Sequence, residues 1–344
     1  MRPIGSPPLA SALILTLAGL LLPLQAQATE PPGRLLGVKT SEHPTWFKES
    51  FLEITEDVAE ASAAGRHLIL FMEMNGCPYC DKMVEENFKH APYRDFIRAH
   101  FDVIALNVKG DREVAITPET RLPEKRLAEF YEVNATPTLI FLDATNTPVV
   151  KIGGYRNPED FKRILDYVST HAYAEQSLAA YLRSHREHDR YQLRAHPQIR
   201  EVADLSAIEG PLAILFEDDA CVACDALHDG HLAAPEVREA LAAFTLVRLD
   251  TGAETPIIAP DGTATTARAF ARKLDILYRP TLVLFDQGEV RARIDSMLYR
   301  YHFIGLLEYV GAGHYQHHPD PFDYIDAKTA ALLAAGEDVS VSDE

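Results

Sequence analysis

Two apolar runs of strand length, HLILFME at residues 67–73 and LAILFE at residues 212–217, each end on a glutamate four residues ahead of a cysteine. Their length favours strands over helices. Each run leads into a Cys-x-x-Cys pair, Cys77-Pro78-Tyr79-Cys80 and Cys221-Val222-Ala223-Cys224. An aspartate follows each pair, Asp81 and Asp225, and helix-forming sequence follows both. Further on, charged stretches at 124–131 and 264–274 predict helices. After each comes a proline, Pro137 or Pro280, that opens a second apolar, β-rich run. Proline is tolerated at the first residue of a strand, where no ladder donor is lost. Turns at 143–148 and 286–289 then lead to a short strand and a last helix.

The chain therefore states one order of elements twice: helix, strand, Cys-x-x-Cys, helix, strand, helix, Pro-strand, strand, helix. The first cysteines lie 144 residues apart, and the prolines follow them by 60 and 59 residues. That period is too long for a stacked solenoid and marks a tandem domain duplication. Residues 172–208 join the copies, with Tyr173, Leu178, Tyr181 and Leu182 at near-helical spacing before a polar block at 184–190. They predict a helix plus linker. Residues 319–344 predict a tail with one weak helix at 324–335 and an acidic end. The expected division is 1–28, 29–172 (first domain), 173–207 (helical linker), 208–316 (second domain) and 317–344 (tail).

Residues 1–28 read as a cleaved secretory signal. Arg2 is the only charge, residues 9–24 are apolar, and Ala26-Gln27-Ala28 supplies a small-x-small cleavage pattern. The apolar run is short for a membrane span, and no other stretch is apolar enough to cross a bilayer. The expected location is the bacterial periplasm or the exterior. Composition narrows partners further. With 33 Lys and Arg against 51 Asp and Glu, the net charge is −18. A surface this acidic repels phosphate backbones, so no nucleic-acid partner is expected.

The chemistry lies in the cysteines. All four sit in tight pairs, whereas structural bridges in exported proteins usually close longer loops. A Cys-x-x-Cys that ends a strand and opens a helix places its first sulfur at free N–H groups and a partial positive charge. Both favour the thiolate, and such thiols fall well below the usual 8.5 or so. Cys77 is thus expected to attack a disulfide and Cys80 to resolve the mixed disulfide. Cys221 and Cys224 form a second dithiol that exchanges electrons with the first or serves in a scaffold domain.

Strand, Cys-x-x-Cys, helix and a Pro-Thr strand some 60 residues on resemble the thioredoxin superfamily. Within it the subtype is similar to secreted thioredoxin-like proteins of the SoxW-like kind, with insertions here at 109–123 and 252–265. The resemblance covers about 45–170 and 208–314. It implies an α/β fold of two tandem thioredoxin-like domains, each a central mixed sheet flanked by helices. It also implies that Pro137 and Pro280 are cis and face their dithiols.

The implied activity is protein-disulfide oxidoreduction serving cell redox homeostasis, with protein thiols and disulfides as partners. Pro78, Tyr79 and Thr136 give the first site a reductase-like character. A membrane thiol-reducing transporter is then the expected electron donor, and no cofactor is expected.

The chain departs from the family pattern at several positions. The buried acid six residues before the first cysteine is replaced by Phe71 and Leu215, and Glu73 and Glu217 are the candidates to substitute. Gly76 and Ala220 stand where a Trp often precedes the pair. Asp81 and Asp225 replace the common Lys and oppose a second anion. Arg279, before Pro280, is expected either to lower the pKa of Cys221 or to obstruct a substrate.

Rival readings are an oxidase or isomerase using the same residues, and a Cu(I)-handling protein built on Met72, Met74 and Met83, since soft sulfur ligands suit that ion. Four thiolates also match a structural zinc site, but the pairs sit in separate repeats, and no metal is expected. His302, His314, His317 and His318 read as a solvated terminus, and Trp46 as a core residue of the first helix.

Overall fold

The run at 67–73 has no polar side chain between its ends, and a strand with that composition must be covered on both faces. The structure, a computed structural model describing residues 31–343, satisfies this in both repeats. After a two-residue strand β1 (Leu35–Leu36), the first repeat contains α1 (Ile54–Ala63), β2 (His67–Glu73), α2 (Pro78–Met83), α3 (Arg94–His100) and β3 (Phe101–Asn107). It continues with β4 (Glu113–Thr117), β5 (Thr120–Pro123), α4 (Glu124–Phe130), β6 (Thr138–Leu142), β7 (Pro148–Gly153) and α5 (Pro158–Ser169). A π-helical turn, Val84–Lys89, extends α2.

The sheet order is β3-β2-β6-β7, with β2 parallel to β3 and the other pairings antiparallel. Because side chains alternate along a strand, Ile69, Phe71, Val103, Leu139 and Phe141 pack beneath the dithiol helix. Leu68, Leu70, Met72, Ile140 and Leu142 fill the opposite face with α1 and α4 residues.

Helix α6 (Leu178–Ser184) leads into the linker, which runs to β8 (Ile199–Arg200). The second repeat then places β9 (Leu212–Glu217), α7 (Cys224–Asp229), α8 (Pro235–Leu241), β10 (Thr245–Asp250), β11 (Pro256–Ile258) and β12 (Ala264–Thr266). It ends with α9 (Ala267–Lys273), β13 (Thr281–Asp286), β14 (Glu289–Ile294) and α10 (Arg300–Gly311). Its sheet, β14-β13-β9-β10-β8, repeats the first with one added parallel strand. The last residues assigned to the linker thus join this sheet. Both predicted insertions are antiparallel hairpins, β4–β5 and β11–β12.

Three local expectations differ from the structure. Trp46 lies in the turn before α1 and packs edge-on to Phe47, because the helix starts only at Ile54. The tail folds back. Its helix α11 (Pro321–Ala334) buries Ile325 against α10, and β15 (Val339–Ser340) pairs in parallel with β1. Val339 and Val341 are buried, so apolar residues in an acidic stretch hold β15 against β1. Finally, His302 is half-buried on α10 rather than solvated. The expected signal at 1–28 lies outside the described residues. Among the described residues, no helix is long and apolar enough to cross a membrane.

The repeats share core. Tyr278 and Tyr299 of the second repeat belong to the cluster that contains Cys77, Cys80 and Phe71 of the first. Burying an aromatic side chain of this kind contributes roughly 1.5–3 kcal/mol, so the two repeats are held by apolar contact as well as by chain connectivity.

Candidate active site

Cys77 occupies the N-cap of α2 with extended backbone, which leaves its sulfur facing the first free amides of the helix. The Cys80 N–H donates to Cys77 Sγ at 3.0 Å. Pro78 at the first helical position costs nothing there, since its missing N–H has no partner to lose. Cys77 and Cys80 form a disulfide with Cα atoms 5.3 Å apart. Thr136 supplies the facing wall. Its hydroxyl donates to Cys77 Sγ at 3.5 Å, and its carbonyl oxygen lies 3.7 Å from that sulfur. The Thr136–Pro137 peptide is cis, as the family resemblance implied, and the Pro137 carbonyl accepts from Gly154 N–H.

Cys77 lies at the floor of a cleft of about 860 Å3 formed by both repeats. Asn75, Gly76 and Thr136 line it from one side, and Ser296, Met297 and His302 from the other. Tyr79 ties the dithiol turn to that second wall. Its ring stacks on Tyr299, with centroids 5.1 Å apart. Its hydroxyl accepts from Tyr299 N–H at 3.0 Å and donates to His302 Nδ1 at 2.8 Å. Burial raises the Tyr79 pKa, so the phenol keeps its proton. Burial also lowers His302 to about 4, so its ring is a neutral acceptor at pH 7. Arg156, buried beside the site, places its guanidinium 3.9 Å from the Tyr278 ring centroid, a second bond between repeats.

The two glutamates that end β2 and β9 have different surroundings. Glu73 is half-buried and pairs with His43 at 2.6 Å. Glu217 is fully buried. It pairs with His228 Nε2 at 2.9 Å, accepts from the Tyr191 hydroxyl at 3.3 Å and lies 3.8 Å from Arg248. Burial raises its pKa, against the pull of His228, Arg248 and Tyr191.

At the second pair, Cys221 and Cys224 are bonded with Cα atoms 5.6 Å apart and form a small buried cluster with Tyr191. The Arg279–Pro280 peptide is cis. Arg279 is buried, and its charge is met by Asp218 at 3.0 Å.

The methionines flanking the first pair are not gathered. Met72 packs on the far face of the sheet, Met83 is core beneath the dithiol, and Met74 lines the cleft. Sequence reasoning missed Tyr191, Arg156, Tyr278, Tyr299 and His228. Each is an aromatic or a lone charge whose partner lies in another element, so no local spacing marks it.

The family model described as a thioredoxin-like domain matches residues 54–169 and 201–311. No curated protein matches the chain. Among solved structures it is similar to a thioredoxin-fold protein from Helicobacter pylori, 24% identical, covering 33% of this chain and 74% of that one, with a TM-score of 0.31. It is similar to a thioredoxin from Thermus thermophilus, 24% identical, covering 40% and 87%, with a TM-score of 0.27. It is also similar to the C-terminal domain of Neisseria meningitidis DsbD in the oxidised form, 13% identical, covering 34% and 91%, with a TM-score of 0.24.

Proposed function

This chain belongs to the thioredoxin-like domain family, carries two copies of the domain and is a thiol–disulfide oxidoreductase; we propose that it works in the periplasm as a reductase of protein disulfides. The observation that carries the exchange chemistry is the setting of Cys77, which accepts an amide hydrogen bond at a helix start, faces Thr136 and lines the cleft. In the reduced enzyme the Cys77 thiolate attacks one sulfur of a client disulfide. The client's S–S bond breaks, one client sulfur leaves as a thiol, and the other is held by Cys77. Cys80 then attacks Cys77 Sγ, releasing the second client thiol and closing Cys77–Cys80. Two electrons pass from the pair to the client.

Asp81 supports the reducing direction. It lies in the first turn of α2, where a carboxylate raises the cost of a thiolate nearby. A less stabilised reduced state is a better electron donor. The spent pair is recharged by a dithiol partner, which we assign to a membrane thiol-reducing transporter, since the chain carries no nucleotide-binding motif. The leader-like residues 1–28 support the compartment.

The test is the reduction potential of Cys77–Cys80 in the whole protein, read by equilibration in thiol buffers, alkylation and peptide mass spectrometry. A value near about −270 mV supports a reductase. A value near about −120 mV makes the protein an oxidant and overturns the direction. Cys77→Ser removes insulin reduction if this pair does the chemistry.

A further inference from the structure

The linker crosses the second dithiol. Residues 186–196 form no helix or strand, yet they are pinned to the second repeat along their length. Arg186 pairs with Asp218 at 3.4 Å and donates to the Leu277 carbonyl, three residues before Pro280. His188 meets Asp219 at 2.9 Å. The Arg190 and Tyr191 amides both donate to the Asp219 carbonyl, at 2.8 and 3.0 Å. Arg194 closes the far end on α7, reaching Asp225 at 3.2 Å and Asp229 at 2.6 Å.

Between these fixings Tyr191, 5% exposed, packs on Cys221 and Cys224, and its hydroxyl reaches Glu217. The segment thus runs from the cis-proline loop, past the turn before Cys221, to the helix that Cys224 opens. That places it alongside both elements that flank Cys221, the cis-proline loop and the dithiol helix. The middle of the strap is also tied to the first repeat, where Arg190 pairs with Glu159 at 2.6 Å.

We propose that residues 186–194 are a tethered occupant of the second dithiol's docking face, and that exchange at Cys221–Cys224 waits on their release. The occupant defines what competes for that face. It is an extended peptide segment with an aromatic side chain over the disulfide and cations placed at Asp218, Asp219, Asp225 and Asp229. Cys77 instead lines the cleft between the repeats, with Leu35 and Val38 among the other lining residues. Both first cysteines are buried, Cys77 at 1% and Cys221 at 4% exposure, and what sets the second site apart is the strap laid over it.

The experiment uses the oxidised full chain and dithiothreitol, whose two thiols deliver two electrons and two protons to a disulfide and end as a cyclic disulfide. Samples quenched by alkylation are read by peptide mass spectrometry, so each pair reports its own rate. Tyr191→Ala is expected to speed reduction of Cys221–Cys224 at least tenfold and to leave Cys77–Cys80 within twofold. A synthetic peptide of residues 186–194, added in excess to that variant, is expected to slow the second pair again. Arg194→Ala, a partly exposed change at the end of the strap, gives the same acceleration if Tyr191→Ala does not fold. Rates for the second pair within twofold of wild type in the folded variants overturn the proposal. Access to dithiothreitol does not depend on the direction of electron flow, so this failure would leave the assignment of Cys77–Cys80 untouched.

Discussion

The Tyr79 hydroxyl and His302 Nδ1 lie 2.8 Å apart, although 223 positions of sequence separate the two residues. Tyr79 is the third residue of the first Cys-x-x-Cys, and His302 is on the last helix of the second repeat. The bond makes the reactive turn of one repeat a docking element for the other. Tyr79→Phe keeps the stack on Tyr299 and removes only the oxygen, so His302 Nδ1 and the Tyr299 N–H both lose this partner. The expected cost is about 1–3 kcal/mol, seen as a thermal midpoint lowered by several degrees. An unchanged midpoint would show that the hydroxyl and its two bonds contribute nothing to docking.

The same histidine makes stability depend on pH. His302 and His67 are both held at about 4 by burial, His67 also by His171, against about 6.5 in an unfolded chain. Between those values the unfolded state binds more protons than the folded one. Stability is therefore full above about pH 6.5 and is lost as pH falls towards 4. Each ring contributes about 1–3 kcal/mol to that loss. Urea midpoints at pH 7.5, 6 and 5 should fall in the wild type. His302→Asn, which keeps an acceptor near Nδ1, should flatten the curve by the share of one ring. Parallel curves for the two proteins would rule His302 out as the source.

Glu73 and Glu217 occupy the same place in the repeat and should respond differently to loss. Glu217 is buried against His228, Tyr191 and Arg248. Removing one member of a buried charge cluster strands the others, so Glu217→Ala is expected to cost about 3–5 kcal/mol. Glu73 is half-buried with one histidine partner, and Glu73→Ala is expected to cost under about 1 kcal/mol. Denaturant unfolding measures both. Equal costs would mean that the cluster around Glu217 carries no special weight.

The duplicated fold and its dithiols were legible because they are local patterns. Apolar runs, Cys-x-x-Cys and a Pro-strand each occupy a few consecutive residues, and β2, β6, β9 and β13 lie where those runs predict. The docking of the repeats was not legible, because Tyr79–Tyr299 and Arg156–Tyr278 join residues more than a hundred positions apart, and neither partner carries a spacing. The packing of the tail was not legible for a related reason. Val339 and Val341 are two apolar residues in an acidic stretch, and only the edge of β1 explains them. Tyr191 sat in a segment read as linker, directly after a polar block. The charges in that block help hold it against the second dithiol.

The repeats approach closely at Gly154, and a pair of substitutions can separate that contact from backbone strain. Gly154 has φ +79°, and a Cβ there would lie 2.4 Å from Ser296 Oγ and 2.6 Å from Ser296 Cβ in the other repeat. Gly65 has nearly the same backbone, φ +70°, with nothing within 4 Å of its would-be Cβ. Gly65→Ala therefore costs only the left-handed strain, about 1–2 kcal/mol. Gly154→Ala carries that strain plus the clash, a further cost of about 1–3 kcal/mol. Ser296→Gly added to Gly154→Ala removes both clashing atoms and should recover the difference, a coupling that additive changes would not show. Because Gly154 and Ser296 both line the cleft above Cys77, forcing them apart should also speed reduction of Cys77–Cys80 by dithiothreitol. Equal costs at Gly154 and Gly65, with no rescue by Ser296→Gly, would mean that the repeats separate freely and that the second repeat does not form a wall of the first site in solution.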